Sequence, residues 1–192
     1  MIFLILAPYG AFSLLMLATS ATASLFVSAA IWLMVIGYDI ARGRSIKILG
    51  AGSMLLFGAL GAYLTLVDSS LSSSAVKLTV DAGVFAISLT SIAFRFPFTL
   101  QYAREAVDPE TAKLPGFTKA NYVITAAWTG AFLLMMIANV LMIYLPGLPL
   151  WSGLVIAFAA RNSAAYFTKW YPAYRKAKCG IASAPANALA GI

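Results

Sequence analysis

Residues 39–68 read DIARGRSIKILGAGSMLLFGALGAYLTLVD. A short segment carrying Arg42, Arg44 and Lys47 gives way at Ile48 to an apolar run that closes at Asp68. A run of about 20 apolar residues is what a helix needs to cross the ~30 Å hydrocarbon core of a bilayer. The basic segment before it is the kind that stays on the cytoplasmic side.

The same alternation repeats outward in both directions. Toward the N-terminus, residues 2–19 and 22–38 form two apolar runs joined by a short Ser/Thr/Ala turn. Toward the C-terminus, further runs span residues 75–96, 122–145 and 150–170. The polar connections lie at 69–74, at 97–119 and at the Pro146-Gly147-Leu148-Pro149 turn. Even-numbered connections hold Arg42, Arg44 and Lys47, then Arg95, Arg104, Lys113 and Lys119, then Lys169, Arg175, Lys176 and Lys178, with Arg161 nearer that side of the last run. Of the 13 Lys/Arg, Lys77 alone falls on the other side. The reading is an all-α polytopic membrane protein, a six-transmembrane-helix bundle with both termini cytoplasmic. Spans must be helices, because an unpaired sheet edge in lipid leaves backbone groups unsatisfied.

Composition agrees. The chain is 62% hydrophobic and 10% charged, against about 25% charged in a soluble domain. The length of 192 residues gives one membrane domain, residues 1–178, and a cytoplasmic tail, 179–192. The net charge of +7 flanks apolar runs, so the partner it implies is anionic lipid headgroups rather than nucleic acid. Residues 2–19 lack a basic leader and are taken as a first span rather than a cleaved signal. Cys179 stands alone, which excludes an internal disulfide. There is no His, which removes haem and most zinc or copper sites. No cofactor, metal site or catalytic residue is expected, since no triad, Cys/His cluster or phosphate loop is present.

Two constellations stand out. The first is intramembrane. Lys77 and Asp81 are four apart and share a helix face. Asp81 lies ~9 Å inside the outer boundary at 1.5 Å per residue, Asn139 sits at about the same depth, and Arg161 is ~15 Å in. Charged groups in a span are costly and are functional or paired. An Asp81–Arg161 pair bonded to Asn139, with Lys77 above, is therefore allowed; it binds an ion, proton or headgroup or fixes helix packing, the remaining alternative being that Arg161 snorkels to the cytoplasmic headgroups. The second is residues 95–107, RFPFTLQYAREAV. Pro97 ends the fourth span. A helix restarting there would place Phe96, Leu100, Ala103 and Val107 on one apolar stripe, with Arg95, Gln101, Arg104 and Glu105 facing water. That is a helix lying in the cytoplasmic interface, and it docks lipid or a partner or simply connects. Glu105, Asp108 and Glu110 are close enough to suggest a divalent cation, but their spacing fits no ligand loop and a solvated run is the plainer reading.

Several strings resemble the septation protein A family of bacterial inner-membrane proteins, as a divergent member. Lys77-Leu78-Thr79-Val80 opens the fourth span as a Lys-x-Thr-Val string does in that family. Pro97 matches the proline that closes that span. Trp128, Phe132, Ala138 and Asn139 reproduce a Trp-x3-Phe…Ala-Asn spacing in the fifth, followed by Leu145-Pro146. The likeness extends over residues 20–175. It implies a non-enzymatic protein of the cell inner membrane, acting in cell division and envelope maintenance through other inner-membrane proteins, such as division or wall-synthesis components, with a second copy as a further partner. It marks Lys77, Thr79, Trp128 and Asn139 as important. The alternative from the residues themselves is a small transporter or lipid-translocating protein using Lys77, Asp81, Asn139 and Arg161.

Overall fold

The computed structural model describes residues 2–145, 147 and 150–178. Those residues form eight helices and, among them, no strand: α1 (Ile2–Ala18), α2 (Ala21–Ala41), α3 (Ile48–Leu66), α4 (Ser73–Ala93), α5 (Phe98–Arg104), α6 (Pro109–Lys113), α7 (Pro115–Tyr144) and α8 (Leu150–Lys178). The tail expected at 179–192, Cys179 with it, lies outside the described residues.

Four helices, α2, α3, α4 and α7, are long and apolar enough to cross a membrane, which marks the chain as a membrane protein. The apolar α1 is shorter, at 17 residues. α8 carries Arg175, Lys176 and Lys178 in its last turn. The outer surface of the long helices is itself apolar: Leu14, Leu33, Met34, Leu55, Phe94 and Phe158 are all exposed. A surface of that kind suits lipid and not water.

Consecutive long helices pack as neighbours in chain order, α1 on α2, α2 on α3, α3 on α4, α4 on α7 and α7 on α8. Lipid tails are as apolar as leucine, so close packing and polar ties rather than the hydrophobic effect hold such helices together. The contacts show it. A Cβ added at Gly50 would meet the Trp32 ring at 3.0 Å, and one at Gly83 would meet Leu56 at 2.5 Å. Trp32 is 1% exposed and lies edge-on to Tyr9, with ring centroids 5.7 Å apart. Ser24 and Ser28 are fully buried on α2, and the Ser28 hydroxyl donates to the Ser24 carbonyl at 2.7 Å.

Side-chain caps set where helices begin. The Ser20 hydroxyl accepts from the Ala23 N–H and that of Ser72 from the Ala75 N–H, each at 3.2 Å. Each starts its helix by satisfying an N–H that has no intrahelical partner. Two helices end alike. At α2 the Arg44 N–H reaches the Asp39 carbonyl and the Gly43 N–H that of Ile40, both at 2.9 Å. At α4 the Phe96 N–H reaches Ser91 and the Arg95 N–H reaches Ile92, again at 2.9 Å. Both are Schellman ends, which need a left-handed residue just past the helix. Gly43 supplies it at φ 68°, but at α4 the residue is Arg95, at φ 59°. Pro97 follows directly, as the sequence reading required, and α5 starts at Phe98.

A left-handed conformation costs a residue with a Cβ about 1–2 kcal/mol. Arg95→Gly should therefore raise stability by about 1 kcal/mol, and Gly43→Ala should lower it by a similar amount. Thermal unfolding in detergent checks both; equal melting temperatures for all three chains would refute the strain.

Candidate functional site

Of the expected constellation, the Asp81–Asn139 contact forms and the Asp81–Arg161 ion pair does not. Asn139 on α7 donates from Nδ2 to Oδ2 of Asp81 on α4 at 2.6 Å. Equal depth in two helices predicts this contact and the structure makes it. The direct Asp81–Arg161 pair is not formed: among the described residues, no charged nitrogen lies within 4.0 Å of the Asp81 carboxylate. Arg161 and Lys77 act on Asp81 through space instead.

Tyr9 is the member that sequence reasoning missed. It is 5% exposed on α1, its hydroxyl hydrogen-bonds Ser53 on α3, and it feels the charges of both Arg161 and Asp81. A phenol in an apolar helix that packs into a core needs a polar partner, and that requirement was the available signal. Thr79 departs from the expected cluster. Its side chain is exposed and donates to the Ala75 carbonyl of its own helix at 2.9 Å. Two residues on from Lys77, it points about 200° around the helix, away from Asp81. Trp128 and Phe132 pack on α7, 6% and 5% exposed, with ring centroids 5.8 Å apart. Trp128 Nε1 also donates to the Thr168 hydroxyl of α8 at 2.9 Å.

The second centre lies at the basic end and is built differently from the expected interfacial helix. Of the expected stripe of Phe96, Leu100, Ala103 and Val107, Leu100 alone is buried, and it is joined by Phe98 and Thr99. Thr99 Oγ1 donates to the Asn121 carbonyl at 3.0 Å and lies 2.6 Å from Thr125 Oγ1, stitching α5 to α7. Gln101 and Glu105, expected to face water, are taken up by the 45–48 segment. The Ile48 N–H donates to Gln101 Oε1 at 2.7 Å. This caps α3 across space, since Lys47 supplies no side-chain cap of its own. Glu105 Oε1 accepts from the Ser45 N–H and hydroxyl at 3.1 Å and from Lys47 Nζ at 2.7 Å. Arg95 and Arg104 alone keep the expected exposure.

Lys47 is the hub. Its side chain is 4% exposed. Its ammonium also donates to the Ser45 carbonyl at 2.7 Å, lies 3.6 Å from Asp39 and sits 5.7 Å from the centroid of the Tyr102 ring. A buried ammonium requires such a set of acceptors. Burial alone would push the Glu105 carboxyl up, but the hydrogen bonds from Lys47 and Ser45 and the Lys47 charge outweigh it and hold the group below the ordinary glutamate range. The Tyr102 phenol is pushed well above its usual range, by burial first and then by Tyr9, Asp39 and Glu105.

The acidic run does not converge on a cation. Asp108 caps α6, accepting from the Thr111 N–H at 2.8 Å, and Glu110 pairs on the surface with Lys113 at 2.9 Å. No group of His, Cys, Asp and Glu suited to a metal occurs among the described residues. No family model matches the chain, and no curated protein or solved structure gives a significant match.

The clamp predicts a mutational and a pH signature. Lys47→Met strands the Glu105 carboxylate and should cost about 2–4 kcal/mol, while Lys47→Met with Glu105→Leu should recover most of it. A carboxyl held below its unfolded value stabilises the fold above that value. The contribution is lost as pH falls from about 4.3 through the lower folded value. Melting of the wild type in detergent should drop over that interval more than melting of Glu105→Gln; parallel profiles would disprove the clamp.

Proposed function

We propose that the protein is a six-span integral protein of a bacterial inner membrane, with both termini cytoplasmic, that serves as a non-enzymatic scaffold in cell division and envelope maintenance. The resemblance to septation protein A supports the cellular role. The segregation of Lys and Arg to one end supports the orientation. The observation that carries the scaffold reading is how the internal polar groups are used. Asp81–Asn139, Tyr9–Ser53, Ser88–Thr129, Thr99–Thr125 and Trp128–Thr168 each join two different helices. Polar groups committed to one another in this way make a fixed platform. Exposed Arg95 and Arg104 at its basic end then suit the acidic segments of partner membrane proteins.

Transport of a small ion or proton is the second reading. It is favoured by the convergence of Lys77, Asp81, Arg161 and Tyr9 in one electrostatic neighbourhood inside the bundle. Charged groups in spans are the usual substance of ion and proton pathways.

The two readings separate in proteoliposomes. The scaffold reading expects no proton or ion flux from the wild type. It also expects a photocrosslinker at position 104 to capture division or wall-synthesis proteins in cells, with capture lost in Arg95→Glu/Arg104→Glu. Flux abolished by Asp81→Asn or by Arg161→Gln in folded protein would replace scaffold with transport. A reporter fused at residue 192 should be active only in the cytosol; periplasmic activity would overturn the topology.

A further inference from the structure

Between α2 and α3 the lipid-facing surface holds a groove of ≈ 380 Å³, lined by Ala30, Leu33, Leu55, Gly58 and Ala59 among others. That volume lies within the 300–1,000 Å³ of small-molecule clefts. Ala30, Leu33, Leu55 and Ala59 are all exposed, so the groove opens outward rather than into the core. Gly58 sets its depth, and nothing in this chain requires it to be glycine: a Cβ there would meet no atom within 4 Å. Gly50, Gly52, Gly61 and Gly83 differ, since a Cβ on each presses on a neighbouring helix at 3.2 Å or less. Gly10, Gly37 and Gly130 are equally open, but among these four Gly58 alone lines the groove, where a side chain would fill it.

The α2 side of the groove continues as one face toward the basic end. Ala30, Leu33, Met34, Gly37, Tyr38 and Ala41 recur at helical spacing and all are exposed. The face ends at Arg42, whose guanidinium lies over the Tyr38 ring, 5.2 Å from its centroid. Arg44 and Lys47 are held by Asp39 and Glu105. Arg42 has no carboxylate within 4.0 Å among the described residues. At 1.5 Å per residue, Leu33 and Ala30 stand ~14 and ~18 Å from Arg42 along the helix. Half of a ~30 Å hydrocarbon core is ~15 Å. A cation at the headgroup level and an apolar slot near the midplane are therefore one acyl-chain length apart.

We propose that this face is a binding site for one anionic phospholipid, its phosphate held by Arg42 and one acyl chain laid along α2 into the groove at Gly58. The site rests on the membrane reading above and is independent of the choice between scaffold and transport. Charge argues against a second copy of the chain as the occupant. A two-fold dimer joins the same patch on both subunits, so α2 against α2 in the same orientation would bring Arg42 against Arg42. A phospholipid brings the opposite charge to Arg42 and an apolar tail to the groove.

The test is native mass spectrometry of the full chain released from detergent, after equilibration with equal amounts of phosphatidylglycerol and phosphatidylcholine of identical acyl chains. The wild type should retain one phosphatidylglycerol, at least tenfold over phosphatidylcholine. Arg42→Gln should abolish the preference, and Gly58→Leu should abolish retention of both lipids, with helical circular dichroism unchanged. Should Gly58→Leu fail to fold, Ala59→Met fills the same groove and should give the same loss. Equal retention of the two lipids, or phosphatidylglycerol binding that survives a filled groove, would overturn the proposal. So would a wild-type dimer that a filled groove converts to monomer, which would assign the face to a second copy. Recovery of the chain as a soluble monomer without detergent would sink the membrane reading itself, and that outcome is visible before any lipid is added.

Discussion

A helix in hydrocarbon gains nothing by turning its apolar side toward another helix, because the lipid it leaves is equally apolar. Cohesion between such helices must come from close contact and from polar groups that have no better partner than one another. The described contacts follow that rule at several depths. Tyr9–Ser53 ties α1 to α3, Asp81–Asn139 and Ser88–Thr129 tie α4 to α7, and Trp128–Thr168 ties α7 to α8. Glycines bring the helices near enough: Gly50 lies under Trp32, Gly61 against Phe26 and Gly83 under Leu56. Each tie is worth on the order of 1 kcal/mol, so the arrangement depends on their number and not on any single one.

The basic end obeys a different constraint. There the chain leaves the helices, and its backbone groups lose their ladder partners. α5 is too short to stand alone, and it is held by side chains from elsewhere: Ser91, Thr125 and the Lys47–Glu105 contact. In return it supplies Gln101 to the open N-terminus of α3. The exchange explains why α5 packs against the 45–48 segment and α7 through Gln101 and Thr99, with Glu105 just past its end joining the same contact. Gln101 and one carboxylate oxygen of Glu105 find partners in the 45–48 segment that are fixed in place.

The long apolar helices were legible from sequence because apolarity is a property of composition and needs no partner; α6 and the first turns of α7 lay inside the expected polar connection and were not. Asp81 and Asn139 could be matched by depth because the rise per residue fixes each position along its own helix. Periodicity found that Lys77 and Asp81 share a face. It could not keep Thr79 in the cluster, where the family resemblance rather than the helix had put it. Contacts that join distant segments stayed hidden. Lys47 and Glu105 are 58 residues apart, and Tyr9 and Ser53 are 44. Nothing near Lys47 in the sequence distinguishes it from Arg42 or Arg44, yet one of the three is buried, one is paired at the surface and one has no carboxylate partner. Their fates are decided by where the α2 turn at Gly43 points each side chain.

The two charged centres differ in how they are neutralised, and the difference bears on what each can do. Lys47 meets Glu105 directly and is enclosed by acceptors, so moving either group strands a charge; that is the behaviour of a fastener. Asp81 takes a neutral amide as its nearest partner and holds Arg161 at longer range. An amide donates a hydrogen bond but no charge, so Asp81 depends on the more distant cations for balance. A carboxylate balanced at a distance is less tightly committed than one in contact. Asp81 is thus the group in the bundle best able to exchange a proton or an ion, and the Lys47 clamp is the fixed frame around it.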